Sequence, residues 1–258
     1  MTLEFYKYQG TGNDFIIIDN RTKTFPKNNE TIFPKLCDRN FGIGADGIIL
    51  LEEDDSSDFK MLYFNADGSE TMCGNGARCA VAFAKKLGII HSKTIFTAFD
   101  GEHDAEIDNL NIVSLHMIDV NEVIINQDYV FANTGTQHHV TTVENLENYP
   151  VFEEGRKIRY EVYGEKGSNV NFTQQLNEHT FRVRTYEKGV ENETLACGTG
   201  VTAVAIAMHA TKKTTSNHIT LPVEGGELQV RFEEKNNRYT NIYLSGPATF
   251  VFKGEIFI

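Results

Sequence analysis

The feature that most constrains this chain is a short motif that occurs twice, Cys73-Gly74-Asn75-Gly76 and Cys197-Gly198-Thr199-Gly200, with its two cysteines 124 residues apart in a chain of 258. Each copy opens into an Ala/Val-rich stretch, Ala77 to Ala84 and Val201 to Ala210, that is apolar on nearly every side rather than along one stripe. Helices of that kind are buried all round. The simplest reading is a duplicated unit in which each copy wraps its strands around a central helix and sets one cysteine at that helix's N-terminus.

Composition narrows the partners. A formal charge of −12 and a pI near 5.1 leave no basic stripe to neutralise phosphates, so no nucleic-acid partner is expected. Met1 to Gly10 alternates like a strand and has no targeting character, and no stretch approaches membrane-spanning length, so a cytoplasmic protein with no membrane partner is expected. In that compartment Cys37, Cys73, Cys79 and Cys197 are expected as thiols. Cys37, in a helix predicted over Thr31 to Arg39, and Cys79, on the first motif helix, read as small core residues.

The pattern along the chain is α+β. Strands are predicted at Leu3 to Gln9, Phe15 to Asp19, Gly47 to Leu51 and Phe59 to Phe64, then the first motif helix, then strands from Lys93 to Met117. The second half repeats the theme. Strands appear near Val130 and His139, a helix at Val151 to Tyr160, strands at Ser168 to Phe172 and Thr180 to Thr185, the second motif helix, and four or five closing strands from His218. The expected division is residues 1–117 with a returning strand in 249–258, and residues 118–248.

A Gly-rich turn at a helix start presents backbone N–H groups at close approach, and the helix dipole adds about 0.3–1 kcal/mol of anion stabilisation, up to about 2 in a partly buried site. The same field lowers a cysteine pKa from about 8.5 into a range of about 3.5–7.5. A thiolate at one motif and a thiol at the other then make a base and an acid near neutrality. With an α-amino acid between them, helix ends hold the carboxylate, the thiolate removes the α-proton, and the thiol returns a proton to the other face. Such a reaction requires no metal and no pyridoxal cofactor. His138 and His139 lack a third ligand at a usual spacing, and no metal site is assigned.

The residues that carry this chemistry sit in longer runs: Gly10-Thr11-Gly12-Asn13-Asp14-Phe15, Asn65-Ala66-Asp67-Gly68-Ser69-Glu70 followed by Cys73 to Cys79, Asn169-Val170-Asn171-Phe172, and Tyr186-Glu187 leading to Ala196-Cys197-Gly198-Thr199-Gly200. In these runs, over nearly the whole length, the chain resembles the diaminopimelate epimerase family. The resemblance implies two similar α+β domains with a substrate site in the cleft between them, and Cys73 and Cys197 as paired acid/bases interconverting LL- and meso-diaminopimelate for lysine and cell-wall precursor synthesis. It also implies that Gly74, Asn75, Gly198 and Thr199 bind the reacting carboxylate. Asn13, Asn65 and Asn169 would fix the rest of the substrate, with Glu187 and His138 flanking the amino group. By the same comparison Asp14 and Asp67 look like turn carboxylates, and Arg78 like a surface or supporting ion pair. The partner implied is a small-molecule amino-acid substrate, and a homodimer is left open.

Three departures bear on the substrate. Lys188 stands where the family carries Arg, exchanging a planar fork for a point charge toward the distal carboxylate. The loop Gly135-Thr136-Gln137-His138 replaces an amide and a proline of the family pattern with Thr136 and Gln137, predicting a looser loop. Asn65 also lies one residue closer to Cys73 than the family spacing. Two other readings therefore stand beside the first: a racemase or isomerase of the same fold acting on another amino acid, and a noncatalytic thiol switch or anion-binding module.

Overall fold

A computed structural model describes residues 2–29 and 31–258. By its contacts the chain splits into two compact units, Met1–Leu115 with Gly246–Ile258, and His116–Ser245.

In the first unit the strands are β1 (Thr2–Gly10), β2 (Asn13–Asp19), β3 (Gly47–Glu52), β4 (Phe59–Asn65), β5 (Glu70–Thr71), β6 (Lys93–Ala98), β7 (Gly101–Ile107) and β8 (Ile112–His116). The helices are α1 (Ile32–Cys37) and α2 (Gly74–Lys86). The chain's last strand, β18 (Thr249–Phe257), pairs antiparallel with β1. The sheet order is β8-β7-β6-β4-β3-β2-β1-β18, with β5 beside β4, and the β2/β3 and β4/β6 pairs are parallel.

The runs Ile16-Ile17-Ile18 and Ile48-Ile49-Leu50-Leu51 do not alternate because both faces of the sheet are covered there. Ile16, Ile18, Ile48 and Leu50 pack with Phe33 and Leu36 of α1, whereas Phe15 and Ile49 face Gly76 of α2. A Cβ on Gly76 would stand 3.2–3.4 Å from Ile49, Met61 and Phe15, so the glycine sets how closely α2 lies on the sheet.

In the second unit the strands are β9 (Val123–Ile125), β10 (Val130–Asn133), β11 (Gln137–Thr142), β12 (Asn169–Gln175), β13 (Phe181–Glu187), β14 (Asn192–Thr194), β15 (His218–Val223), β16 (Gly226–Lys235) and β17 (Arg238–Pro247). The helices are α3 (Val151–Glu161) and α4 (Gly198–Ala210). A six-stranded sheet runs β14-β13-β12-β11-β10-β9, with β11 and β12 parallel, and β15, β16 and β17 form an antiparallel meander. Helix α4 is packed by strands of both sets, in a core that includes Val130, Val140, Phe181, Ile219, Leu228 and Leu244.

The two motif helices are buried on all sides as the sequence predicts: every residue is buried from Asn75 to Ala84 in α2 and from Gly200 to Met208 in α4. They also end alike. Gly88 (φ +73°) and Lys212 (φ +62°) hold matching left-handed positions, and the next amide, of Ile89 or Lys213, returns to Ala84 O or Met208 O at 3.0 and 2.9 Å. No described helix is long and apolar enough to cross a membrane.

Candidate active site

Cys73 and Cys197 are the N-cap residues of α2 and α4, both with extended backbone (φ −136°, ψ 118° and φ −119°, ψ 109°). Their carbonyls accept the first helical bonds, from Ala77 N at 2.8 Å and Val201 N at 3.0 Å. Neither helix has a side-chain cap, so the amides of Gly74 to Gly76 and Gly198 to Gly200 have no intrahelical acceptor. Each cysteine thus shares its helix end with a turn of N–H groups suited to an anion.

Around Cys73 the turn Gly10-Thr11-Gly12-Asn13 joins β1 to β2, with Thr11 (φ +51°) and Gly12 (φ +87°) both left-handed. Asn13 is held at that turn's exit. Its Nδ2 donates to Asp46 Oδ2 (2.5 Å), and its Oδ1 accepts from Asn75 Nδ2 (3.2 Å) and from Cys73 Sγ (3.5 Å). Three of the expected site residues therefore meet in this unit. Asn65 is not joined to them by these bonds: its Nδ2 donates to Ser69 Oγ (3.0 Å), in a turn where Asp67 Oδ1 accepts from Ser69 N and Oγ. Asp14 is ion-paired with Lys7 and Arg39, which hold its pKa down at about 2 against the opposing effect of burial. Both aspartates have the turn-holding roles expected of them.

Arg78 does not. The expected surface or supporting ion pair is absent: the side chain is fully buried, donates from Nη2 to Thr11 Oγ1 (3.1 Å), and has no carboxylate within ion-pair distance among the described residues. On a helix buried all round there is no surface for a guanidinium to reach, so its length carries it back along α2 instead.

Around Cys197 the groups are neutral and densely bonded. His138 and Asn169 are register partners in the parallel β11/β12 pair, and Asn171 shares Asn169's face of β12 two residues on. Asn169 Nδ2 donates to Thr136 Oγ1 (3.1 Å), and Thr136 Oγ1 is 2.9 Å from His138 Nε2 and 3.2 Å from Thr199 Oγ1. Asn171 Nδ2 donates to His138 Nδ1 (3.1 Å) and His139 O (3.0 Å), while its Oδ1 accepts from Thr185 Oγ1 (2.9 Å). That pattern assigns the His138 proton to Nε2. Complete burial pushes His138 down to about 3, so it is a neutral imidazole at pH 7. Thr199 Oγ1 lies 3.5 Å from Cys197 Sγ, and a Cβ on Gly200 would overlap Asn171 Oδ1.

Glu187 Oε2 accepts from Thr194 Oγ1 (3.0 Å), and burial raises its pKa above the usual carboxylate value. Lys188 meets Asn169 through its backbone, N to Oδ1 at 2.8 Å, while its ammonium donates to Lys166 O at 2.6 Å. Thr136 makes three side-chain bonds, and Thr134 Oγ1 adds a fourth to the loop by donating to Thr199 O (2.8 Å), so hydroxyls tie down a loop that lacks the family's proline. His139 is set aside from the site, bonded to Tyr163 and Thr141 and stacked on Tyr129. Among the described residues no group of three or more His, Cys, Asp or Glu is placed to hold a metal ion. The sequence reading gave no role to Asn171, Thr185 or Thr11. The period-2 spacing of Asn169 and Asn171 was the signal available for the first of these.

Comparison with known proteins decides the family. The model of the diaminopimelate epimerase family matches residues 5–115 and 130–251. The diaminopimelate epimerase of Flavobacterium psychrophilum is 60% identical over 256 residues, covering 98% of this chain and 100% of that protein. This chain belongs to the diaminopimelate epimerase family. Its class is therefore that of an isomerase. The Aquifex aeolicus diaminopimelate epimerase is 40% identical, with 98% of each chain covered. Among solved structures, a Bacillus anthracis phenazine biosynthesis protein of the PhzF family superposes with a TM-score of 0.78 at 14% identity over 100% of both chains. A hydroxyproline epimerase from Agrobacterium vitis does so at 0.67 and 14%, over 99% of this chain and 92% of that one. These two likenesses establish the two-domain fold.

Proposed function

We propose that this protein epimerises diaminopimelate between its LL and meso forms by a two-thiol mechanism, with Cys73 and Cys197 as the acid/base pair. The observation that carries the mechanism is that each unit caps a buried thirteen-residue helix with a cysteine in extended conformation, beside amides that have no intrahelical acceptor. Supporting the substrate is the full-length 60% identity to a diaminopimelate epimerase.

In the reaction one thiolate takes the α-proton, and the C–H electron pair delocalises into the substrate carboxylate. That pair then takes the proton of the other cysteine's S–H on the opposite face. The stereocentre inverts and the two sulfurs exchange protonation states, so atoms and charge balance with thiols alone. The helix-end amides of Gly74, Asn75, Gly198 and Thr199 stabilise the dianionic carboxylate, where a well-aimed donor is worth about 3 kcal/mol. Asn13, Asn65 and Asn169 fix the remainder of the substrate, and Glu187 and neutral His138 flank the amino group. The cytoplasm is the proposed compartment, since a thiolate catalyst needs reducing conditions.

The test is proton NMR of diaminopimelate in deuterated water with reduced protein, beside a panel of single-carboxylate amino acids. Enzyme-dependent loss of the diaminopimelate α-proton signal is expected. Loss with another amino acid alone would transfer the mechanism to a different substrate, an outcome that Lys188 makes worth including. No loss with any of them would remove the epimerase reading.

A further inference from the structure

The buried guanidinium of Arg78 is a charge that the fold leaves unmatched. Its Nη2 has one partner, the Thr11 hydroxyl, and Nε and Nη1 are buried with none. An arginine remains protonated even in such a place. Thr11 is itself held at φ +51°, an uncommon conformation for a β-branched residue, and is buried.

The location adds to the cost. A Cβ on Gly10 would stand 3.1 Å from Asn75 O and 3.3 Å from Arg78 Nη2, so the guanidinium lies beside the first turn of α2. That turn carries the helix's own partial positive charge. Two positive sources in one desolvated corner are unfavourable without an anion between them. The sulfurs within electrostatic range of Arg78 are those of Cys79 and Cys73. Cys79 is fully buried and pushed up to about 12, which keeps it a thiol; Cys73 is partly exposed and caps the helix.

Among the described residues no ionisable group on the strands around α2, the β7 carboxylates Glu102, Asp104 and Glu106 included, is ion-paired with Arg78. Tyr6 and Tyr8 on β1 are raised by burial and stay neutral, and Tyr63 on β4 packs edge-on against Phe15. His103 on β7 is bonded to Asp100 and stacked on Phe96. Beyond Asn13, the Asp14 and Asp46 carboxylates are matched by Lys7 and Arg39. In the second unit the residue 124 positions on from Arg78 is Thr202, whose hydroxyl donates to Gly198 O (2.9 Å) and brings no charge.

We propose that Arg78 is a positioning cation that holds Cys73 as the resting thiolate, leaving Cys197, whose helix carries neutral Thr202 at the matching place, as the resting thiol. The proposal rests on the reading of Cys73 and Cys197 as an acid/base pair, and it breaks the symmetry which that reading leaves open. It also gives a reason for that charge in the core: the anion that balances it is the catalytic sulfur, which on ionising gives up its S–H contact to Asn13 Oδ1 (3.5 Å) while Asn75 Nδ2 stays bonded to that oxygen (3.2 Å).

The test is the pH dependence of alkylation by iodoacetamide, followed separately at Cys73 and Cys197 by peptide mass spectrometry on the substrate-free protein. Cys73 is expected to show the lower midpoint, by about one pH unit or more. Arg78→Met should raise the Cys73 midpoint by a similar amount, slow its alkylation near neutrality by up to about tenfold, and leave Cys197 where it was. Arg78→Lys should restore most of the difference. Arg78→Met removes the buried cation and lets Cys73 take up a proton, so no charge is left unpaired and the variant should melt no lower than the parent. A wild-type Cys73 midpoint at or above that of Cys197 would overturn the proposal without any variant. So would an Arg78→Met protein whose Cys73 midpoint is unmoved while KM rises, since Arg78 would then serve the substrate's anion instead. Alkylation midpoints need no turnover, so failure of the epimerase reading would show separately, as absence of α-proton exchange with diaminopimelate.

Discussion

Helices α2 and α4 have the same length, the same cysteine cap and the same kind of ending, yet one carries Arg78 at its fifth position and the other Thr202. The surroundings differ in the same sense. Cys73 shares its corner with a buried cation, whereas Cys197 sits beside Thr199 and a network whose histidine is neutral. The two motifs share their backbone geometry and differ in their electrostatics. A two-base epimerase benefits from that, because its sulfurs must rest in opposite protonation states.

The comparison is broken most severely at the cysteines themselves. Cys73→Ala and Cys197→Ala should each lower epimerisation by about 10²–10⁴-fold, measured as kcat with diaminopimelate. If one of the two variants kept full activity, the motifs would not be equal partners in catalysis.

The neutral network predicts an acid sensitivity located in the second unit. His138 and His139 are held by burial at about 3 and about 4, below the unfolded value of about 6.5. The unfolded chain therefore binds more protons between those limits, and stability should fall as pH drops from about 6.5 toward 3, by an amount on the order of a few kcal/mol. Urea midpoints measured across that range should show the slope, and His138→Gln should flatten it.

Packing sharpens the comparison further. Gly200→Ala forces a Cβ into Asn171 Oδ1, whereas Gly76→Ala meets only the ends of Ile49 and Met61 and the edge of Phe15. In denaturant unfolding the first should cost about 1–3 kcal/mol and the second less, because flexible side chains can give way. The smallest effect is expected at the helix ends. Lys212 occupies the left-handed position that Gly88 fills in the first copy, so Lys212→Gly should stabilise the protein by up to about 1 kcal/mol, read as a raised melting temperature.

Much of this architecture was legible in the sequence because its signals are long. Ala77 to Ala84 and Val201 to Ala210 announce buried helices, and the long closing strands alternate clearly. The two- and three-residue strands β5, β9 and β14 left no periodic trace, and the six-residue α1 is shorter than the helix predicted around it. Of the site, the cysteines and their amides follow from motif and spacing, whereas Asn13 and Asn169 came only with the family resemblance. The burial of Arg78 came from neither, because an arginine in a helix is ordinarily read as a surface charge. Only the strands packed about α2 show that no surface is available to it. The hub at Asn171 was half visible: its spacing from Asn169 shows the shared face, but only the parallel pairing of β11 with β12 brings His138 to it.

The central claim, that two different sulfurs serve the two faces of one carbon, is tested most directly by isotope labelling at low conversion. With LL-diaminopimelate in deuterated water, the account predicts that the meso product carries deuterium at the inverted carbon while the remaining LL substrate carries none. Deuterium entering the LL substrate from the outset, as fast as product forms, would mean that a single base works both faces and would contradict it.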